Sequence, residues 1–130
     1  MIVAAAYVRV STDEQTDYSP AAQLADIKEY ATHNGYHIPE EFIFMDEGIS
    51  GKRADKRPAF QAMIRQARKK SNHIQYIIVH KFDRFARNKE DSVLYKALLK
   101  KDGVKVISVK EPIPQDDKFA VIYESMLEAM

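Results

Sequence analysis

The sequence predicts an α/β fold in which helices cover both faces of a mostly parallel sheet, giving three layers. Two observations predict this class. Strand-like and helix-like patterns alternate along the whole chain, which is typical of parallel strands joined by crossover helices. The run 76–79, Tyr-Ile-Ile-Val, is apolar without alternation, as expected of a strand buried on both faces. The chain has 130 residues, which is the size of one domain.

Local signals place the elements along the chain. Ser19 and Pro20 form a helix start, with serine as the cap and proline in the first turn, and Asn34-Gly35 ends that helix. The same kind of analysis predicts strands at residues 2–10, 41–45, 75–80 and 104–109. It predicts helices at residues 19–33, from 58 onward, at 88–101 and at 118–130, with a loop at 46–57.

Three of these helices carry an apolar face that we expect to be buried. The helix that starts at Pro58 is predicted to bury Phe60, Met63, Ile64 and Ala67. The helix at 88–101 is predicted to point Val93, Leu94, Ala97 and Leu98 inward. The last helix carries the stripe Phe119, Ile122, Met126 and Met130 and has no stop signal. We therefore expect a helix cut short at residue 130, whose stripe belongs to an interface; packing on its own core is the alternative.

Composition limits the function classes. With 20 Lys and Arg against 19 Asp and Glu the net charge is +1, which is weak for a stand-alone nucleic-acid binder, although basic residues cluster at 52–57, 65–70 and 81–89. The absence of cysteine excludes disulfides and thiolate metal sites and fits a reducing cytoplasm. No apolar run approaches the roughly 20 residues of a membrane span, and no basic segment precedes the first apolar stretch. We expect neither a membrane partner nor a signal peptide.

The most informative segment is 7–12, Tyr-Val-Arg-Val-Ser-Thr, at the end of the first predicted strand. Arg9 and Ser11 are two residues apart, so their side chains point to the same face of the strand. Folds of the α/β class place their sites at the carboxyl ends of parallel strands. A serine hydroxyl is a weak nucleophile unless its surroundings activate it, and the guanidinium beside it indicates an anionic target such as a phosphate.

Three further segments follow strand ends or helix starts at the same expected edge. Residues 46–51 form a loop with two glycines, which by itself is a weak signal. Arg57 stands at a helix N-terminus, where anions bind. Arg84 and Arg87 are three apart and share a face on a helical turn, with Asp83 beside them. A serine together with four arginines fits phosphoryl transfer, which depends on positioning and on charge stabilisation.

The base that takes the proton from Ser11 is not identified by the sequence. No histidine lies near Ser11, and His80 precedes the segment 81–87 at a strand end, where a histidine is more often structural. The arginine cluster itself favours ionisation of the serine hydroxyl.

These motifs resemble those of the serine recombinases, the family of resolvases, invertases and the large serine integrases and transposases. The segment 7–12 resembles the nucleophile motif of that family, and Gln23 is placed like its early helix glutamine. The segment 46–58 resembles the second motif, and 81–87 resembles the third. The resemblance covers nearly the whole chain, and the extended loop before Arg57 is closer to the large serine recombinases than to the small resolvases.

The resemblance implies a resolvase-like catalytic domain that needs no cofactor and no metal. Ser11 would attack a DNA phosphodiester and form a 5′-phosphoserine link, releasing a 3′-hydroxyl. The arginines would bind the scissile phosphate and stabilise the transition state, and an aspartate and a glutamine would orient them. The catalytic set implied is Ser11, Arg9, Arg84, Arg87, Arg57, Asp83 and Gln23. Ser50 and Lys81 would contact the DNA phosphate, and Tyr7 would pack rather than react.

The resemblance also implies partners and a domain organisation. Residues 1–117 would be the catalytic core and 118–130 the start of a long oligomerisation helix, with the DNA-binding domains outside this chain. The partners would be DNA recombination sites, with a homodimer and a homotetramer formed by the full-length protein on DNA. The setting would be cytoplasmic, in a bacterium or a phage-infected cell, and the 130 residues alone are not expected to recombine DNA.

Other function classes stay open at this point. A metal-dependent phosphohydrolase would use Ser11 or Asp46, but it needs several clustered carboxylates, and Asp46 and Asp83 follow different strands. A non-catalytic receiver-like module would use Asp46 as phosphoacceptor, but it needs an acidic pair after the first strand, where Arg9 and Ser11 stand. A Ser-His-Asp hydrolase is disfavoured because no Gly-x-Ser-x-Gly segment occurs.

Overall fold

The computed structural model describes residues 2–9, 19–46, 57–85, 89–111, 126 and 128–129. Within these residues the strands are β1 Ile2–Arg9, β2 Tyr36–His37, β3 Ile43–Asp46, β4 Ile74–Val79 and β5 Lys105–Ser108. The α-helices are α1 Pro20–Asn34, α2 Pro58–Arg68 and α3 Lys89–Lys101. Short 3-10 turns occupy Glu40–Phe42, Lys70–Asn72 and Phe82–Arg84. In the described part of the chain, no helix is long and apolar enough to cross a membrane.

The strands form one sheet in which β1 is central. β1 pairs with β4 on one side, β4 pairs with β5, and β2 and β3 pair with successive parts of the other side of β1. All of these pairings are parallel, so the carboxyl ends of β1, β3, β4 and β5 meet at one edge of the sheet. The predicted mostly parallel α/β fold is confirmed, and its motifs are brought to a common edge.

Helices cover both faces of the sheet because the side chains of β1 alternate between them. Ala5 and Tyr7 belong to the core under α2 and α3, together with Phe60 of α2. Ala4 and Ala6 belong to the core under α1. The central strand is fully buried from residue 4 to residue 8, and three consecutive alanines leave room for the helices to approach it closely.

Several local predictions are confirmed. The Ser19 hydroxyl accepts a hydrogen bond from the Ala22 N–H at 3.2 Å, and α1 ends at Gly35, whose φ of 76° is the left-handed conformation that glycine adopts without strain. The predicted face of α2 is buried at all four of its positions, Phe60, Met63, Ile64 and Ala67.

The strand predicted at 41–45 is partly wrong. Residues Glu40–Phe42 form a 3-10 turn, and the strand β3 begins only at Ile43 and includes Asp46. The two-residue strand β2 was not predicted, because two residues are too short to show a period.

The predicted inward face of α3 is wrong at three of its four positions, and only Leu98 packs against the core. Val93 and Leu94 are 53% and 64% exposed, Ala97 is exposed and Leu98 is half-buried, whereas Leu99 is fully buried in the core that α2 shares. The side of α3 that packs against the rest of the protein carries Ser92 and Leu99. This side is shifted by one position from the predicted side, which has more apolar residues.

Part of the C-terminal segment packs against α3. Glu128 accepts hydrogen bonds from the Ser92 hydroxyl at 2.7 Å and from the Lys96 ammonium, which also lies over the Phe82 ring. Met126 is 61% exposed. The other members of the predicted stripe, Phe119, Ile122 and Met130, lie outside the described residues.

Candidate active site

The described residues of the predicted site lie at or next to the carboxyl edge of the sheet. Arg9 is the last residue of β1 and pairs in register with Asp46, the last residue of β3. Next to them, β4 ends at Val79 and leads into the turn Phe82–Arg84. The N-terminus of α2 lies at the same edge, because its first two free N–H groups bind the Asp46 carboxylate. The structure thus brings three of the predicted segments together.

Asp46 anchors this edge. Its carboxylate is 3% exposed, and its Oδ1 accepts a hydrogen bond from the Ala59 N–H at 3.0 Å. Oδ2 accepts from the Phe60 N–H at 3.0 Å and from the Tyr7 hydroxyl at 2.7 Å. These donors include free N–H groups of the first turn of α2, so Asp46 caps a helix that begins twelve residues later in the sequence. A buried carboxylate engaged in this way is structural and does not present itself to a phosphoryl donor, which argues against a receiver-like role.

Tyr7 packs, as predicted, and it also holds Asp46. The ring is fully buried and lies edge-on to Phe60, with 5.4 Å between ring centroids. Burial raises the pKa of Tyr7 well above its usual value, and the hydrogen bond to Asp46 raises it further. The phenol therefore stays protonated and donates to Asp46 at any pH at which the fold is stable.

Arg57 is a buried cation fixed at the N-terminus of α2. It is 4% exposed, its Nη1 donates a hydrogen bond to the Phe85 carbonyl at 2.7 Å, and its guanidinium carbon lies 3.8 Å from the centroid of the Phe60 ring. Burial lowers the pKa of Arg57, the direction expected for a cation removed from water. No carboxylate of the described residues lies within ion-pair distance of it, although Tyr7 and the more distant Asp46 carboxylate oppose the effect of burial on its pKa.

Gln23 contacts the end of β1. Its side chain is fully buried on α1, and its Nε2 donates a long hydrogen bond of 3.5 Å to the Arg9 carbonyl. The predicted glutamine therefore acts on the backbone that carries Arg9 and leads to Ser11, which suits an orienting role.

The turn that carries Arg84 is held by buried aromatic residues on both sides. Phe82 and Phe85 are buried, Arg84 is half-buried and Lys81 is exposed. The Phe82 N–H donates a 2.7 Å hydrogen bond to the carboxylate of Glu111, which also accepts from the Ser108 hydroxyl. Glu111 was not predicted, because nothing in the sequence near it signals a contact with a turn some 29 residues earlier.

His80 lies on the other face of the sheet. It is buried, and its Nε2 is 3.0 Å from Asp26 Oδ2 of α1. Burial lowers the pKa of His80, although Asp26 acts in the opposite direction. This geometry fits the structural role expected for a histidine at a strand end.

Other predicted site residues lie outside the described part of the chain. These are Ser11, Ser50, Arg87 and the side chain of Asp83. Their roles, and the shared face of Arg84 and Arg87, stay predictions. Within the described residues there is no group of three or more His, Asp or Glu side chains placed to hold a metal ion.

Comparison with known proteins identifies the family. The family described as "Resolvase, N terminal domain" matches residues 4–130. A resolvase family site-specific recombinase from Streptococcus pneumoniae is 30% identical, with a TM-score of 0.79 over 99% of this chain and 87% of that one. The N-terminal catalytic domain of TP901-1 integrase is 27% identical, with a TM-score of 0.75 over 98% of this chain and 95% of that one.

A more distant structure shares the fold. The C-terminal catalytic domain of ISC1926 TnpA, an IS607-like serine recombinase, is 21% identical, with a TM-score of 0.69 over 97% of this chain and 79% of that one. A search among curated proteins gave no match. Because the family match spans nearly the whole chain, the chain belongs to the serine recombinase family as a resolvase-type catalytic domain.

Proposed function

We propose that this catalytic domain cuts and rejoins DNA at specific sites through a covalent bond between Ser11 and the DNA. The observation that carries the proposal is Arg57. A cation that is 4% exposed, held by the Phe85 carbonyl and by the Phe60 ring, fits an anion that enters the site beside Arg9. Strand β1 ends at Arg9, two residues before Ser11, so the expected nucleophile follows directly from the same edge.

The proposed step is a phosphoryl transfer. The Ser11 oxygen attacks the phosphorus, the bond from phosphorus to O3′ breaks, and the proton lost by serine is balanced by one gained by the leaving O3′. The products are a 5′-phosphoserine ester and a free 3′-hydroxyl. Since the ester conserves the energy of the phosphodiester, attack by a 3′-hydroxyl rejoins the strands without a nucleotide cofactor.

The arginines supply the charge stabilisation that this step needs. Arg9, Arg57 and Arg84, with Arg87, would surround the phosphate and stabilise the charge that develops on its oxygens. Arg57 is supported best, because its position is fixed from two sides before any ligand arrives. Preorganised donors of this kind need no rearrangement during the reaction.

The remaining predicted residues orient or bind. Gln23, through the Arg9 carbonyl, would set the end of β1, and Asp83 would orient the neighbouring arginines. Lys81 is exposed at the catalytic edge and would contact a DNA phosphate, as would Ser50.

The wider setting follows from the family. Members of this family act on DNA, and this domain would do so as part of a homodimer that pairs into a homotetramer on its recombination sites. Residues 1–117 would form the catalytic core and 118–130 the start of the oligomerisation helix, with sequence recognition outside this chain. The protein would work in the cytoplasm of a bacterium or a phage-infected cell, as an integrase, a transposase or a resolvase.

Trapping the covalent intermediate tests the proposal. The full protein that carries this domain is incubated with DNA containing its recombination site, denatured, and probed for protein attached to a 5′ end. Wild type should give the adduct and Ser11→Ala should not. Ser71→Ala, at an exposed serine far from the catalytic edge, is the matched control and should trap as wild type does. An adduct that survives Ser11→Ala refutes the assignment of the nucleophile.

A second variant tests the arginine that carries the argument. Arg57→Gln should lower the rate of adduct formation by about 10²- to 10³-fold, the range found when one donor to a developing oxyanion is removed. A rate within threefold of wild type in a folded protein would contradict the role given to Arg57.

A further inference from the structure

A patch of positive charge lies at the edge of the sheet opposite to the catalytic edge. We define the basic patch by six exposed residues, Arg65, Lys69, Lys70, Lys100, Lys101 and Lys105. They come from the end of α2, from the turn after it, from the end of α3 and from the start of β5. The parallel topology brings these ends together, just as it brings the catalytic segments together at the other edge.

The charge of this patch is not neutralised within the described part of the chain. The carboxylate nearest to it, Asp102, is already occupied by Arg68, with 2.8 Å between Arg68 Nε and Asp102 Oδ2. None of the six residues forms an ion pair with another described residue. Since the whole chain carries a net charge of only +1, gathering six cations here leaves the rest of the surface net negative.

Local structural effects account for only part of this arrangement. Arg65, Lys100 and Lys101 lie in the last turns of helices, where cations complement the helix dipole. Lys105 begins a strand, and a charge on an edge strand discourages pairing with other chains. Lys69 is the C-cap residue of α2, where a cation also complements the helix dipole, whereas Lys70 lies beyond it in the 3-10 turn that follows. Because like charges in one place repel, such a cluster is expected where a polyanion binds.

The shape of the patch suits a phosphate group. A cavity of about 220 Å³ opens between the end of α2 and the turn after α3, lined by Lys69, Lys70 and His73 and also by Asp102, whose carboxylate is paired with Arg68. A water molecule occupies about 30 Å³ in the liquid, so the cavity has room for a phosphate together with several waters. Flexible lysines around a hydrated cavity are typical of contacts to a DNA backbone, which carry no base specificity.

We propose that the basic patch is a second DNA-binding surface, which holds the phosphate backbone of a duplex segment other than the one at the catalytic arginines. This inference rests on the proposed function for the identity of the polyanion. The basic patch and the catalytic edge lie at opposite ends of β4, whose six residues span about 20 Å at 3.3 Å per residue. A short duplex is stiff on this scale, since its persistence length is about 150 base pairs, so a duplex lying along the catalytic edge does not curve round to the patch.

Salt-dependent binding tests the proposal. The probe is a fluorescent 20-base-pair duplex of arbitrary sequence, and its association constant is measured by anisotropy between low and moderate salt. Lys69→Gln/Lys70→Gln should reduce the slope of log K against log salt by about 2, since each lost phosphate contact removes about 0.9. The control is Lys28→Gln, which removes an exposed charge on α1 and should keep the wild-type slope.

The result that overturns the proposal is a wild-type slope in the patch variant, or an equal loss in the control. Circular dichroism should show that both variants fold, because all three lysines are exposed. A duplex carrying a backbone photo-crosslinker gives a second readout: crosslinks to the peptides with Lys69–Lys70 or Lys100–Lys101 support the patch, and crosslinks confined to residues near Lys81 overturn it.

The outcome is separable from that of the proposed function. Binding does not require Ser11, so the slope can be interpreted even if the wild-type protein forms no covalent adduct. Conversely, the patch variant should still form the adduct on a short duplex that occupies only the catalytic edge. Loss of self-association in the patch variant with unchanged DNA binding would assign the surface to contacts between copies of the chain and overturn the proposal.

Discussion

Replacing Asp46 by alanine should destabilise the fold far more than replacing a surface carboxylate. The substitution removes the acceptor for two N–H groups at the start of α2 and for the hydroxyl of the buried Tyr7. Losing a helix cap costs about 0.5–2 kcal/mol. An unsatisfied buried hydroxyl costs about 1–3 kcal/mol. Together these predict a loss of about 2–5 kcal/mol, a large fraction of the roughly 5–15 kcal/mol by which domains are stable.

The assay is urea and thermal unfolding at pH 7, followed by circular dichroism. A loss of this size should lower the melting temperature by roughly 10–20 °C for a domain of this length. Glu40→Ala is the matched control. Its carboxylate is almost fully exposed and forms a long ion pair of 3.9 Å with Lys28, so the free energy of unfolding should change by less than about 0.5 kcal/mol.

The mechanism is tested by combining Asp46→Ala with Tyr7→Phe. If the orphaned hydroxyl contributes to the loss, removing it should cost nothing further, so the double variant should be no less stable than Asp46→Ala alone. Additive losses, or an Asp46→Ala protein within 1 kcal/mol of wild type, would refute the view that this carboxylate ties β1, β3 and α2 together.

Three more predictions concern pH and packing. The pKa of Tyr7 is raised in the folded protein, so the stability that it provides is present below pH 10 and is lost as pH rises above it. In urea unfolding above pH 10, the free energy of unfolding of Tyr7→Phe should therefore fall less steeply than that of wild type, by up to about 1.4 kcal/mol per pH unit. Burial lowers the pKa of His80, so its contribution is present above pH 6.5 and lost as pH falls; His80→Gln should be less sensitive than wild type between pH 7 and 5. Leu99→Ala should cost about 2–5 kcal/mol, whereas Leu94→Ala on the exposed side of α3 should cost under about 0.5 kcal/mol; similar values would refute the observed orientation of the helix.

Local signals predicted the elements that local interactions determine. The cap at Ser19, the stop at Gly35 and the buried face of α2 all depend on residues within a few positions of one another. The apolar run 76–79 predicted a strand buried on both faces, and its last three residues are buried. The alternation of elements predicted the parallel sheet.

Contacts between distant segments account for what the sequence did not predict. Two neighbouring stripes of α3 both have helical spacing, and the choice between them depends on the core that receives Leu99. Arg57 offers no side-chain cap for α2, and the acceptor comes from Asp46 in another strand. Glu111 reaches the turn at Phe82 only after β4 and β5 have paired. The motifs predicted which residues form the site, and the supporting contacts depend on the folded sheet.

The central position of β1 has a consequence for how the chain folds during synthesis. Tyr7 pairs with Phe44 on one side and with Val79 on the other, so the second edge of β1 waits for a partner more than 70 residues later. At roughly 5–20 residues per second, that interval lasts about 4–15 s. During this time one edge of an apolar strand is without its partner strand, and pairing over so long a separation makes folding slow. We therefore expect the yield of folded protein to depend on how early β1 is protected, by α1 or by a chaperone.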